Sequence, residues 1–123
     1  MELKPNMYVR TKKYGVAKII GGVTPVLRAF NIDKFKKDGV TLRYQREQDV
    51  IKASNNIIDL IEVGDYVNGY KVIDSVKNFK VIIDKLELNI KTGLYHNKGI
   101  TNENIKSIVT KEQFESMNYK IGD

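Results

Sequence analysis

The sequence predicts a mainly β protein: two tandem small β-barrel units followed by a short C-terminal α-helix. The first observation behind this is an internal repeat. Ser54-Asn55-Asn56-Ile57-Ile58-Asp59-Leu60-Ile61 aligns with Asn102-Glu103-Asn104-Ile105-Lys106-Ser107-Ile108-Val109, a shift of 48 positions (54 to 102), and Met7-Tyr8-Val9 answers Asp65-Tyr66-Val67. Self-similarity at such a spacing is the mark of repeated small structural units. The second observation is a series of short apolar runs separated by turn pairs such as Asp38-Gly39 and Asn68-Gly69, as strands and hairpins require. The third is that one segment alone, Thr110-Lys111-Glu112-Gln113, carries a convincing helix-start signal. The units divide into residues 1–62 and 63–123, with Val63-Gly64-Asp65 as a hinge too short to be a flexible linker.

In the first unit, Tyr8–Thr11 and Val16–Ile20 flank the turn Lys12-Lys13-Tyr14-Gly15, and Gly21-Gly22 breaks the run. Val26–Ile32 is a strand entered from Pro25, where a missing N–H does least harm. Lys36-Lys37-Asp38-Gly39 supplies a tight turn, because Asp-Gly tolerates positive φ. Val40, Leu42 and Tyr44 then alternate with Thr41 and Arg43. The side chains of Ser54-Asn55-Asn56 can bond nearby backbone N–H groups, giving a turn or a single helical turn. Ile57–Ile61 is the expected closing strand.

The second unit repeats the plan. Asn68-Gly69 between Tyr66-Val67 and Tyr70–Ile73 is the best type I′ hairpin signal in the chain. Lys80–Leu88 and Gly93–Tyr95 supply strands, and Lys77-Asn78 and Lys91-Thr92-Gly93 supply turns. Thr101–Asn104 is the second polar turn and Ile105–Val109 the second closing strand. Phe114 and Met117, at i and i+3, give the final helix one apolar face, with Tyr119-Lys120-Ile121 returning as an edge strand. Four or five short strands, a polar single turn and a closing strand in roughly 50 residues is the plan of an SH3-like barrel, a fold-level analogy. The expected packing residues are Ile57, Leu60, Ile61, Val72, Ile82, Ile105, Ile108 and Val109.

The inventory for catalysis is bare. There is no cysteine, and the one histidine, His96, reads as an exposed residue at a hairpin tip. No serine sits in a nucleophile elbow, and no Asp/Glu pair falls at an acid–base or metal-binding spacing. The expectation is a binder and not an enzyme, with no cofactor and no metal. The longest apolar runs are three or four residues, too short for a membrane-spanning helix. Met1-Glu2-Leu3-Lys4-Pro5 opens no apolar signal region, so a cytoplasmic location is expected.

Charge is the informative quantity. Residues 1–62 hold 12 Lys/Arg against 7 Asp/Glu, and residues 63–123 hold 9 against 8, which together give the net +6. With 17 Lys, 11 Asn and 15 Ile the composition points to an AT-rich genome, which discounts the lysines. The arginines are not favoured by that bias, and all four lie in the first unit. Their planar forks suit phosphates and carboxylates. The candidate partner or nucleic-acid surface is therefore Arg10, Lys12, Lys13, Arg28, Lys34, Lys36, Lys37, Arg43 and Arg46, with Phe30 and Phe35 as aromatic contact anchors. Tyr8 and Tyr44 read as half-buried strand residues.

Two stretches, Asn56–Gly69 and Ile100–Phe114, together with Met7–Thr11 and Gly15–Ile19, resemble small uncharacterised proteins of phages and prophages of low-GC Firmicutes. The likeness covers about half the chain and leaves out residues 23–50, which carry three of the four arginines. The shared motifs are structural and transfer no functional residue. The resemblance implies an accessory protein that acts by binding: an inhibitor or modulator of a host nucleic-acid-handling machine, with an anti-CRISPR protein as the concrete case. Its partner would be a host protein or ribonucleoprotein complex with an acidic surface. The alternatives are a direct nucleic-acid-binding module and a structural phage component.

Overall fold

Among the described residues, ten strands pair into two antiparallel five-stranded sheets, followed by one helix. The computed structural model describes residues 3–23, 26–31, 42–76 and 79–119. The first sheet contains β1 (Tyr8–Thr11), β2 (Gly15–Val23), β3 (Val26–Asn31), β4 (Leu42–Arg46) and β5 (Val50–Ser54), in the order β4-β3-β2-β1-β5. The second contains β6 (Tyr66–Val67), β7 (Tyr70–Val76), β8 (Lys80–Leu88), β9 (Tyr95–Thr101) and β10 (Ile108–Val109), in the order β10-β6-β7-β8-β9. In both, the fifth strand lies beside the first, so the two sheets share one topology. Helix α1 (Lys111–Tyr119) ends the described chain.

The hairpin turns form where the side chains dictate. Asn68 and Gly69 have φ of 53° and 88°, as a type I′ turn requires. In the β1–β2 turn, Gly15 takes φ 73° while the Thr11 hydroxyl accepts from the Tyr14 N–H and donates to the Gly15 carbonyl. The pair Gly21-Gly22 does not end β2 as expected. Strand β2 runs through it, with an irregularity in register against β3 between Ile19 and Gly21, because glycine absorbs a bulge that a side chain would resist.

Neither sheet closes into a barrel among the described residues, since β4 and β5 bound the first and β10 and β9 the second. Of the two segments expected to close them, the first turns instead and the second is shortened. Ile57–Leu60 is a 3₁₀ turn, capped by the Asn56 side chain accepting from the Ile58 N–H. It is braced by the Ser54 hydroxyl donating to Asp59. The second closing strand shrinks to Ile108–Val109, paired with β6, after a 3₁₀ turn at Asn102–Asn104. The first sheet is nevertheless strongly bent. A flat five-stranded sheet would hold its outer strands about 19 Å apart. The connection from Arg46 at the end of β4 to Val50 at the start of β5 is a 3₁₀ turn, Glu47–Asp49, and four residues span at most about 14 Å.

The bend wraps the first sheet around Val9, Ala17, Ile19, Leu27 and Ala29, all buried. The other face of β1 and β2 turns toward the second half of the chain. There Val16 and the four buried apolar residues Ile57, Ile58, Leu60 and Ile61 pack with Val67, Val72, Val81, Ile83, Ile100 and Ile108. Each such side chain stabilises the fold by roughly 1.5–3 kcal/mol on burial. Of the expected packing residues, Ile57, Leu60, Ile61, Val72 and Ile108 are buried, while Ile82, Ile105 and Val109 are half-buried. The capping box of α1 forms: Gln113 Oε1 accepts from the Thr110 N–H at 3.0 Å, and Thr110 Oγ1 accepts from the Gln113 N–H at 3.3 Å. Phe114 stacks on Tyr66 with ring centroids 4.7 Å apart, fixing the helix against the second sheet. The expected turns at Lys36–Gly39 and Lys77-Asn78 lie outside the described residues, as does the greater part of the edge strand at residues 119–121.

Candidate functional site

The sequence-derived surface separates into a buried residue, an exposed set and a set outside the described residues. Arg10 departs most from expectation. It is 1 % exposed, on the face of β1 that turns inward, and its guanidinium is consumed within the chain. Nη1 donates to the Leu60 carbonyl at 2.8 Å and to Asp65 Oδ2 at 2.6 Å, and Nη2 donates to Asp65 Oδ1 at 2.9 Å and to Glu112 Oε1 at 2.8 Å. Asp65 is fully buried and also accepts from the backbone N–H groups of Glu62 (2.7 Å) and Lys111 (2.8 Å). Burial alone would lower the Arg10 pKa, but the hydrogen bonds and charge of Asp65, aided by Glu62 and Glu112, outweigh it and raise the value. Lys111 Nζ closes the cluster on Glu62 at 2.9 Å. Arg10 thus ties β1, the turn before β6 and the start of α1 together, and offers nothing to a partner.

The exposed basic residues lie on the outside of the bent sheet. Arg28 on β3 alternates with the buried Leu27 and Ala29, so it faces away from the first cluster. Arg46 is exposed and sits opposite Val26, two positions from Arg28, which puts both arginines on one face of β3–β4. Lys12 and Lys13 are exposed on the β1–β2 turn, where with Tyr14, Gln48, Asp49 and Val50 they line a cavity of about 540 Å³. Lys13 Nζ lies 5.3 Å from the centre of the Tyr14 ring. Phe30 is at a register position between Lys18 and Leu42, and Arg43 is opposite Ala29. Lys34, Phe35, Lys36 and Lys37 lie outside the described residues.

One surface was not marked from the sequence. Every residue from Asp84 to His96 except Asn89 is exposed, so the end of the β8–β9 hairpin stands clear of the core. Leu86, Leu88, Ile90, Leu94 and Tyr95 are 66, 48, 90, 68 and 68 % exposed. His96 is not at the tip but on β9, across from Glu87, with Nε2 3.2 Å from Oε1. The turn instead spans Asn89 to Leu94. Asn89 Oδ1 accepts from Lys91 and Thr92 N–H groups, and Gly93 takes φ 73°. The signal for this surface was the alternation Leu86-Glu87-Leu88, which a half-buried strand shares. No three His, Asp or Glu side chains converge as a metal site among the described residues, and no helix is long and apolar enough to cross a membrane.

No protein-family model matches this chain, and no curated protein or solved structure is significantly similar to it.

Proposed function

We propose that this is a non-enzymatic, phage-type accessory protein that binds a host nucleic-acid-handling complex in the cytoplasm and inhibits or modulates it sterically, in the manner of an anti-CRISPR protein. The observation that carries the reading is the pair Arg28 and Arg46, set side by side on the convex face of the first sheet. Arginine forks on a braced sheet meet carboxylates or phosphates in fixed geometry, with little ordering to do on binding. Lys12 and Lys13 extend the same charge along the chain's basic half. The scaffold belongs to the proposal as well: two tandem SH3-like units, each opened at its edge. In support, both sheets place the fifth strand beside the first and join the fourth to the fifth through a 3₁₀ turn, Glu47–Asp49 in one and Asn102–Asn104 in the other.

A direct nucleic-acid-binding module is the second reading, favoured by the same arginines if phosphate is what they meet. Affinity capture from a low-GC Firmicute lysate, run with and without nuclease, separates the two. The inhibitor reading expects a protein complex that survives nuclease and is lost in an Arg28→Glu/Arg46→Glu variant. Capture of nucleic acid alone, abolished by nuclease, supports the second reading and overturns the first.

A further inference from the structure

We infer that the β8–β9 hairpin is a self-association surface, through which a second copy of this chain docks face to face. Leu86 and Leu88 are two positions apart on β8, and Tyr95 lies directly across from Leu88. The three therefore share one face of the hairpin, while the intervening Glu87 pairs with His96 on the other. Ile90 extends the apolar surface into the turn. At their exposures the four side chains present on the order of 400 Å² of apolar surface. That lies within the range of the largest patch on a typical monomer, about 300–600 Å². It is about half of the roughly 800 Å² per partner that a standard-size interface buries, the polar rim supplying the remainder.

Charge selects the occupant. A chain of net +6 repels its own copy over most of its basic half. Among residues 84–97 the acids Asp84 and Glu87 balance the lysines Lys85 and Lys91. A second copy can approach there without repulsion, whereas nucleic acid would find no net positive field. The free edge of β9, the terminal strand of its sheet, is blunted by Lys98 and offers a poor route to edge-to-edge pairing. Association through the face can close as a two-fold dimer, each hairpin meeting its own equivalent.

Sedimentation equilibrium of the full chain from about 1 μM to about 1 mM, a range that brackets weak and moderate affinities, tests this. The expected result is a reversible monomer–dimer equilibrium that weakens at least tenfold in Leu86→Glu/Ile90→Glu. Both residues are solvent-exposed, so the variant should keep the wild-type circular dichroism spectrum and unfolding midpoint. As a second probe, Ile90→Glu alone, at a position 90 % exposed, should weaken the dimer with no cost in folding. A wild type monomeric across the whole range would overturn the inference, and so would open-ended oligomers or a dimer indifferent to both variants.

Discussion

Arg10 and Asp65 meet as a two-point ion pair, Nη1 to Oδ2 at 2.6 Å and Nη2 to Oδ1 at 2.9 Å, although 55 positions separate them. Both side chains are buried, and each has further partners. A buried ion pair held by several hydrogen bonds is sensitive to the loss of one member, because the other charge is left uncompensated. Asp65→Asn leaves the guanidinium charge without its principal counter-ion. The expected cost is about 3–5 kcal/mol of unfolding free energy, read by urea denaturation. A loss below about 1 kcal/mol, the worth of a surface pair, would show that the cluster does not hold the fold.

Lys111 carries the pH dependence of the same cluster at its surface. Its hydrogen bond to Glu62, reinforced by that carboxylate's charge, raises the ammonium pKa above the ordinary value of 10.5. A folded-state pKa above the unfolded one means that the contribution is fully present below the unfolded value. It is lost as pH rises through the folded value. On raising the pH, the tether of α1 to Glu62 should therefore hold through neutrality and release in alkaline solution. NMR titration of the Lys111 side chain should show a midpoint above those of unpaired lysines, returning to the ordinary range in Glu62→Gln.

Gly15 is strained ground for any side chain. Its φ is 73°, and an added Cβ would run into the Gln113 amide that caps α1. Gly15→Ala should cost about 1–3 kcal/mol from the backbone alone, with further loss from the disturbed cap. Adding Gln113→Ala to Gly15→Ala should restore less stability than the clash removed, since the cap bond to the Thr110 N–H goes with it. Thermal unfolding of the two variants separates these contributions.

Asn68 joins turn to strand. Besides adopting φ 53°, it accepts from the backbone N–H groups of Lys106 and Ser107 and donates to the Asn104 carbonyl. Asn68→Gly keeps the turn conformation and removes only those three bonds. At about 0.5–1.5 kcal/mol for each, the expected loss is about 1.5–4.5 kcal/mol in chemical denaturation, with hydrogen exchange fastest along β10. A neutral substitution would mean that the turn backbone alone sets the position of β10.

Arg28→Ala and Arg46→Ala test the basic face. If the arginines meet phosphates, the slope of log affinity against log salt should flatten by about 0.9 for each residue removed from a duplex contact. Binding to a protein carboxylate surface predicts a drop in affinity with a smaller change of slope. Titration of the captured partner at several salt concentrations reads the difference.

Much of the strand plan was legible because its cues are local. Asn68-Gly69 and Thr110–Gln113 act through their own side chains and backbone, and both behave as their sequence says. The repeat was legible only in part. Tyr8 and Tyr66 begin equivalent strands, β1 and β6, as their match implied. The longer match, shifted by 48, pairs elements that are not equivalent. Asn102–Asn104 precedes the fifth strand of its sheet, whereas its match, Ser54–Asn56, lies at and beyond the end of the fifth strand of the other. The true counterpart of Asn102–Asn104 is Glu47–Asp49, which shares no pattern with it. Ile57–Ile61 read as a strand because it is rich in β-branched residues. Its conformation is instead set by Asn56 and Ser54 at its start and by the second sheet's core beneath it. Arg10 was misread for a related reason: composition identifies an arginine but not the distant acids that will enclose it.

The bond from Arg10 to Glu112 spans 102 positions, and this has a consequence for the order of events on the ribosome. At about 5–20 residues per second, roughly 5–20 s pass between the synthesis of Arg10 and that of Glu112. Until Glu112 has been made, one of the four hydrogen bonds that hold the Arg10 guanidinium in the folded chain cannot form. The full set of contacts on the first strand is complete only after the first turn of α1 has been made.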